Sequence, residues 1–412
     1  MQNSFDPQRA KGKEGQRFAE SLFERVFTPF YYYSEPKDLL DRDQNEICDI
    51  LVCWEDTIII CEVKNWKFEG DHAEYHKKTI EKAAKQIQGA ERKLLSYPRD
   101  IMIDHPLYGK HRFPREKFSK VIRLVINLGE GEEFYPMRVE TKRKDFISVL
   151  NKDTLGVMLN ELDTPSDLLK YLHDREQLLR AATDHGRSRI VLSGREADLL
   201  SVYLKQDRQF DIELQDERFA AVYFSVDGNW DEFRSRSEVI ARHSANRTSY
   251  FIDELVREEI VALHNGEPIV RSLMKFNRLE RRILGDAFFE AQEKYSGFAV
   301  EGNTFRREMP FGEKMIVFLF YPSTFSIEIK AFSVELALRG IAMREHYSYK
   351  EILVIATTIE AEQFHFAYYN GITPFDAEME ERVEGAIREL GWFADLKKKE
   401  ITTKEYPMGN PD

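Results

Sequence analysis

Apolar residues recur through the first 130 residues with the spacing of a single α/β unit. Residues 12–27 carry them at three-to-four intervals, which predicts an amphipathic helix. Two short runs rich in Ile and Val, 47–53 and 57–63, predict a pair of strands. A second helical pattern covers 74–96, and a further strand is predicted over 121–127. Helices alternating with these strands predict an α/β unit of the size of a single domain.

The pattern changes from about residue 150. Residues 153–182 are charged and helical in periodicity, so we predict a helical linker over 131–190. The remainder alternates again, and we predict α/β structure over 191–412, either as one domain or as two divided near 270. Its predicted elements are helices at 271–295, 333–344 and 376–390 and strands at 315–321, 325–332, 351–357 and 364–369. The predicted N-terminal domain is 1–130.

Composition excludes several classes of protein. The chain has 412 residues, of which 42% are hydrophobic and 32% charged, as expected for a globular protein of more than one domain. No apolar run is long enough to span a membrane, so we expect no membrane partner. Cys48, Cys53 and Cys61 lack the spacing of a zinc site and lie in apolar runs. They predict buried thiols in a reduced, cytoplasmic protein.

Charge is unevenly distributed along the chain. The net charge is −12, yet residues 1–130 contain 22 Lys and Arg against 22 Asp and Glu, so the excess negative charge lies in the rest. Within the N-terminal part, residues 72–128 hold 13 basic and 6 acidic side chains. This excess of positive charge predicts that any contact with nucleic acid is made there.

The two predicted strands bring a pair of acids together. If Glu55 and Asp56 form a two-residue turn, Trp54 faces Thr57 and Asp49 faces Glu62. Directly opposed residues have Cβ atoms about 4.5–5.5 Å apart. Two carboxylates so close in an apolar hairpin are costly unless a cation lies between them. We therefore predict a divalent cation such as Mg²⁺ at Asp49 and Glu62.

Lys64 adds a fixed positive charge to this pair, because it lies on the same face of its strand as Glu62. Phosphodiester hydrolysis requires a metal to neutralise the phosphoryl oxygens and a cation to position the water. The alternative is a surface hairpin with an ordinary Asp–Lys pair. A similar triplet, Glu328-Ile329-Lys330, follows an apolar run without an acid, so we interpret it as the edge of a strand.

The segments Glu46-Ile47-Cys48-Asp49 and Glu62-Val63-Lys64-Asn65 resemble the PD-(D/E)XK nucleases, in particular the Mrr-like and NERD-like branches. The resemblance covers about residues 12–128. It implies a restriction-endonuclease-like α/β fold, with a mixed sheet flanked by helices. It also implies Mg²⁺ or Mn²⁺ bound by Asp49 and Glu62, and Lys64 assisting the attacking water. It also implies an acid on the first helix, for which Glu20 is the candidate, and a helical glutamine, for which Gln86 is chosen over Gln88. Gln16 stands where NERD-like sequences often have Glu, which leaves the helical acid open.

From these features we expect a metal-dependent endonuclease acting on DNA, the resemblance alone favouring DNA over RNA. By fold-level analogy it would serve in restriction or anti-phage defence. The C-terminal region would sense a trigger, bind a protein partner or form a homo-oligomer. The alternative is a non-catalytic scaffold that keeps the nuclease fold to bind nucleic acid or protein. No motif discloses the function of 191–412.

Overall fold

A computed structural model describes residues 7–129, 138–140, 145–181, 190–210, 222–296, 303–344, 349–371, 376–392, 401 and 403–407. The chain divides into two compact units, Met1–Val239 (unit 1) and Ile240–Asp412 (unit 2). Among the described residues, none of the helices combines the length and apolar content that crossing a membrane requires.

The elements of unit 1 alternate between strands and helices. The strands are β1 (Tyr32–Ser34), β2 (Ile50–Trp54), β3 (Thr57–Lys64), β4 (Met102–His105), β5 (Gly109–Arg112), β6 (Lys120–Asn127), β7 (Arg138–Glu140), β8 (Phe146–Asn151), β9 (Ile190–Ser193) and β10 (Val222–Ser225). The helices are α1 (Pro7–Phe27), α2 (His72–His76), α3 (Lys82–Ser96), α4 (Lys152–Glu161), α5 (Pro165–Ala181), α6 (Glu196–Lys205), α7 (Asn229–Arg234) and α8 (Ser237–Ala245), which crosses into unit 2. A π-helical turn, Lys77–Glu81, joins α2 to α3, and a 3₁₀ turn lies at Arg115–Lys117.

A six-stranded mixed sheet in the order β1-β2-β3-β6-β8-β7 organises unit 1. Strand β2 pairs antiparallel with β1 and with β3, and β7 pairs antiparallel with β8. Strand β6 pairs parallel with β3 and with β8. Helix α1 packs against β3, and α3 packs against β3 and β6. The α/β fold class predicted from the sequence is confirmed, as are the helix over 12–27 and the strands β2, β3 and β6.

The core under α3 follows the alternation of side chains along the strands. Ile58 and Ile60 of β3 and Leu51 of β2 pack in one cluster with Ile87 and Leu94 of α3. Alternate residues of a strand point to the same face, so Glu62 continues the row of Ile58 and Ile60. The predicted catalytic end of β3 therefore lies on the α3 side of the sheet.

The prediction that 131–190 is a linker was wrong. The helices expected over 153–182 are present as α4 and α5, but β8 hydrogen-bonds along β6 inside the main sheet. The side chains of Phe146–Leu150 are buried, as a strand covered on both faces requires. The predicted boundary at 130 therefore cuts the sheet, and the division found near 239 replaces those expected at 190 and 270.

Unit 2 combines helices with a four-stranded sheet. Its helices are α9 (Tyr250–Glu254), α10 (Glu267–Met274), α11 (Arg278–Ser296), α12 (Ile327–Ala342) and α13 (Ala377–Leu390). Shorter helical turns lie at Asn246–Ser249 and Leu255–Ile260. The strands are β11 (Phe305–Phe311), β12 (Lys314–Phe320), β13 (Glu351–Thr357) and β14 (Phe364–Tyr369).

The sheet of unit 2 has the order β11-β12-β13-β14, with β12 and β13 parallel and both outer pairs antiparallel. Strands β13 and β14 match their predicted bounds, but the strand predicted over 325–332 is wrong because α12 begins at Ile327. The Ser326 side chain caps this helix by accepting from the Ile329 amide. Ile327 and Ile329 are 62% and 48% exposed, so their apolar alternation reflects no buried strand.

Candidate active site

The β2–β3 hairpin has the register that the sequence predicts. Trp54 pairs with Thr57 and Ile50 with Cys61, so the next pair in the same register is Asp49 with Glu62. The turn between the strands places Glu55 at φ 50°. Beyond the last ladder pair, the amide of Val63 donates a 2.5 Å hydrogen bond to Oδ2 of Asp49. This bond fixes the Asp49 carboxylate against the end of β3.

Lys64 bridges the two acids. Its Nζ lies 2.8 Å from Oε2 of Glu62 and 3.8 Å from Oδ2 of Asp49. The side chains are 12%, 3% and 19% exposed for Lys64, Glu62 and Asp49 respectively. The three residues predicted from the sequence are therefore brought together at a nearly buried point that still opens to solvent. The alternative of an ordinary surface hairpin does not fit a carboxylate as buried as that of Glu62.

Burial and the neighbouring charge of Asp49 raise the pKa of Glu62 to about 7, although Lys64 acts in the opposite direction. Desolvation disfavours the charged form of a carboxylic acid, and a like charge nearby does the same. The Glu62 carboxyl group is thus harder to ionise at neutral pH than an ordinary glutamate, and a further positive charge nearby would favour its ionised form. Perturbation of this kind, in a cluster with a stated charge partner, is typical of functional sites.

Glu46 and Glu35 extend the acidic cluster, and sequence reasoning assigned a role to neither. The pKa of the Glu46 carboxyl group is raised to about 8. The largest cause is the partial removal of water from the carboxyl group itself, and its hydrogen bond to Asp49 and the charges of Asp49, Glu35 and Glu62 act in the same direction. Because Glu46 as a residue is exposed, its contact with Asp49 is the stronger argument for a place in the site. The sequence feature that could have identified Glu46 is its position three residues before Asp49.

Glu20 lies at the same end of the sheet but outside the Lys64 cluster. Its Oε1 accepts hydrogen bonds from Ser34 Oγ and, at 3.1 Å, from Gln16 Nε2. Gln16 also donates to Glu35 Oε1 at 3.0 Å. Gln16 thus links Glu20 to Glu35, whose amide donates a 3.0 Å hydrogen bond to the carbonyl oxygen of Asp49. A catalytic role for Glu20 stays a prediction.

Neither helical glutamine is hydrogen-bonded to the three central residues. Gln86 is exposed on α3, where the apolar neighbours Ala83, Ala84 and Ile87 take the buried face. Gln88 donates a 2.8 Å hydrogen bond to Oδ2 of Asp145, the residue that precedes β8 in the chain. The assignment of Gln86 to the site thus remains a prediction from resemblance without a supporting contact.

Gly15 allows α1 to approach the segment that follows Lys64. A Cβ atom at Gly15 would lie 2.8 Å from Nδ2 of Asn65 and 3.1 Å from Cδ1 of Leu128. No side chain fits there without displacing Asn65, the residue after Lys64. The absence of a side chain at Gly15 therefore permits close packing of α1 on the sheet.

The donor set fits a Mg²⁺ site that is completed by other ligands. In the described part of the chain, no three His, Cys, Asp or Glu residues are arranged to hold a metal ion among themselves. Mg²⁺ is commonly held by one or two carboxylates, with waters and substrate phosphates in the remaining positions. Asp49 and Glu62 provide two such carboxylates, which face the single positive charge of Lys64.

The basic region over 72–128 is partly neutralised. Seven of its basic side chains form ion pairs: Lys78, Lys93, Arg99, Arg112, Arg115, Lys120 and Arg123. The other six are exposed and have no ion pair with any residue that the structure describes: Lys77, Lys82, Lys85, Arg92, Lys110 and Lys117. Four of these six, Lys77, Lys82, Lys85 and Arg92, lie with the paired Lys78 on the π turn and on α3, the helix that packs on β3.

Comparison with known proteins gives no match to this chain from any family model, any curated protein or any solved structure.

Proposed function

We propose that unit 1 is a Mg²⁺-dependent nuclease that hydrolyses phosphodiester bonds of DNA. The observation that supports this proposal is the contact of one ammonium group, that of Lys64, with two carboxylates at the nearly buried end of a hairpin. The resemblance of the same residues to the PD-(D/E)XK nucleases also supports it and makes Mn²⁺ an alternative ion.

The residues of the hairpin divide the chemistry between them. Asp49 and Glu62 would hold the ion, which when bound supplies positive charge at the phosphoryl oxygens and lowers the pKa of a coordinated water. Lys64 directs its ammonium into the same space, where it orients the attacking water and stabilises developing negative charge. Glu46 contacts Asp49 and so acts as a positioning residue for that carboxylate.

The biological setting of the activity is inferred from the cysteines and from the resemblance. The described cysteines are all free, and Cys48 and Cys61 are buried, in keeping with a reduced cytoplasmic environment. We place the protein among restriction or anti-phage nucleases by resemblance alone. Unit 2 would then recognise a trigger, a protein partner or a second copy of the chain.

The test is cleavage of plasmid, linear duplex and single-stranded DNA and of RNA by the full chain, with Mg²⁺ or with EDTA. Lys64→Ala and Asp49→Ala are expected to lower the Mg²⁺-dependent rate by about 100-fold or more, because each removes charge that stabilises the transition state. Lys67→Ala, at an exposed lysine three residues further on, should cleave as the wild type does.

Circular dichroism of each variant separates loss of chemistry from loss of fold. Wild-type rates in folded Lys64→Ala and Asp49→Ala would contradict the site. Absence of metal-dependent cleavage on all four substrates would instead favour a scaffold that binds without cutting.

A further inference from the structure

Trp66 is an exposed aromatic residue immediately beside the candidate site. It follows Lys64 by two positions, and its side chain is 42% exposed. Its backbone is held in place: the carbonyl of Lys64 accepts a 2.7 Å hydrogen bond from Leu128, and Gly129 lies so close that a Cβ there would be 1.8 Å from the Trp66 carbonyl oxygen. The chain is therefore fixed at this point while the indole is left at the surface.

The helix that covers the site begins next to Trp66. The hydroxyl of Tyr75 in α2 accepts a 2.6 Å hydrogen bond from Asn127, and Asn127 is the ladder partner of Lys64. This bond ties the start of the helical segment to the ends of β3 and β6. One turn later the ammonium of Lys78 lies 5.5 Å from the centroid of the Trp66 ring. The π turn thus adjoins Trp66, and α2 before it is tied to the strand partner of Lys64.

A row of basic side chains continues from this point along α3. Lys82, Lys85 and Arg92 are separated by three and seven residues, which places them on one side of the helix. All three are exposed, and none has an ion pair with a described residue. At a rise of about 1.5 Å per residue the row is about 15 Å long.

We propose that the substrate of this site is nucleic acid with an unpaired strand, whose base next to the reacting phosphate stacks on Trp66 and whose phosphates follow Lys82, Lys85 and Arg92. The inference rests on the nuclease function proposed for the same site. An exposed indole can stack only on a base whose face is free, and the bases of an intact duplex already stack on one another. A basic row beside an aromatic platform is the usual arrangement for binding single strands.

Binding is tested with the full chain in EDTA, where metal-dependent cleavage is blocked, using a twelve-nucleotide oligothymidylate and a blunt duplex of twelve base pairs. The chain has four tryptophans, so fluorescence reports on Trp66 only by comparison with Trp66→Phe. We expect the oligothymidylate to quench the wild type, and Trp66→Phe to lose that part of the quenching while keeping most of the affinity.

Trp66→Ala should bind the oligothymidylate about 5-fold to 150-fold more weakly, the equivalent of about 1–3 kcal/mol for one stacked base. Tyr97→Ala, at another exposed aromatic residue of the same unit, should bind as the wild type does. Equal affinity of the wild type for single strand and duplex, or unchanged affinity of Trp66→Ala, would overturn the proposal.

The basic row has its own test in the salt dependence of binding. The double variant Lys82→Gln/Lys85→Gln should lower the slope of log affinity against log salt by about 1.4, since each phosphate contact contributes about 0.7 for single strands. The pair Lys110→Gln/Lys117→Gln removes the same charge outside the proposed row and should leave the slope unchanged. Equal slopes in both double variants would contradict the assigned path.

These outcomes are separable from those of the nuclease proposal. Trp66-dependent binding without any metal-dependent cleavage would contradict the nuclease function and leave the stacking surface. Metal-dependent cleavage with equal rates in Trp66→Ala and the wild type, on single strands and duplex alike, would contradict the stacking surface alone.

Discussion

Glu62 holds a carboxyl group that the fold has removed almost entirely from water, beside the carboxylate of Asp49. Lys64 compensates only in part, because the pKa of Glu62 stays raised to about 7 with the ammonium 2.8 Å away. A carboxylic acid whose pKa is raised by folding lowers the free energy of unfolding at neutral pH. Its presence at the end of a hairpin is easier to understand if a divalent ion completes the charge balance.

The cost of this acid can be measured in EDTA through the stability of Glu62→Gln. The pKa of Glu62 is raised in the folded state from 4.5 to about 7, so the wild type loses stability as pH rises through that window, and a neutral amide does not. The variant should match the wild type near pH 4 and exceed it by on the order of 3 kcal/mol at pH 8.

Urea unfolding at both pH values gives these free energies. Glu69→Gln, at an exposed acid beyond the same strand, is the control and should match the wild type at both pH values. A stability difference between Glu62→Gln and the wild type that does not vary with pH would show that Glu62 ionises normally in the folded protein.

At the scale of single elements, local features were predictable and distant ones were not. The register of β2 with β3 follows from a two-residue turn, so the meeting of Asp49 with Glu62 could be predicted from fourteen residues of sequence. The contact of Gln16 with Glu35 depends instead on how α1 and β1 close on the hairpin. No spacing in the sequence encodes that closure.

The wrong prediction of a strand over 325–332 has a different cause. Its apolar residues alternate as in a strand, but Ser326 caps a helix and Ile327 and Ile329 face solvent. Periodicity over so few residues does not separate an exposed first helical turn from a strand. The helix cap distinguishes the helical turn from a strand. The sequence alone does not show that the Ser326 hydroxyl accepts a hydrogen bond from the amide of Ile329.

The approach of α1 to the site predicts opposite effects for two glycine substitutions. Gly15→Ala should lower the free energy of unfolding by about 1–3 kcal/mol, because the new methyl group meets Asn65 at 2.8 Å. Gly156→Ala in α4 meets nothing within 4 Å and should raise it by about 0.5–1 kcal/mol.

Chemical unfolding checks both values, and the cleavage assay adds a functional one. Displacement of Asn65 is expected to disturb Lys64, so Gly15→Ala should also cleave more slowly, whereas Gly156→Ala should not. A stable and fully active Gly15→Ala would show that α1 does not support the site.

Over the whole molecule, unit 1 is larger than its recognisable motif. Residues 12–128 carry the resemblance, yet β8 completes the parallel part of the sheet. A buried network then attaches the following helices: Arg175 of α5 donates to Ser148 Oγ at 2.9 Å and to both carboxylate oxygens of Glu196 of α6 at 2.6 and 2.7 Å. Buried charges of this kind are costly to separate.

A fragment of residues 1–239 should therefore fold, whereas a fragment of residues 1–130 should not. The shorter fragment leaves β6 without its partner β8 and exposes the apolar face that α4 contacts. Thermal unfolding followed by circular dichroism should show one cooperative transition for 1–239 and none for 1–130. A cooperative transition in the shorter fragment would restore the boundary expected from the sequence.

The pairing pattern of the main sheet also has a consequence for the order of folding. The turn at Glu55 joins β2 and β3 directly, whereas β3 pairs with β6 more than sixty residues later in the chain. Contacts between distant residues form more slowly, because closing the intervening loop costs entropy. On the ribosome the hairpin can form before β6 has been synthesised. Asp49 and Glu62 would then meet while still hydrated, and the later docking of α3 and β6 would carry the cost of removing their water.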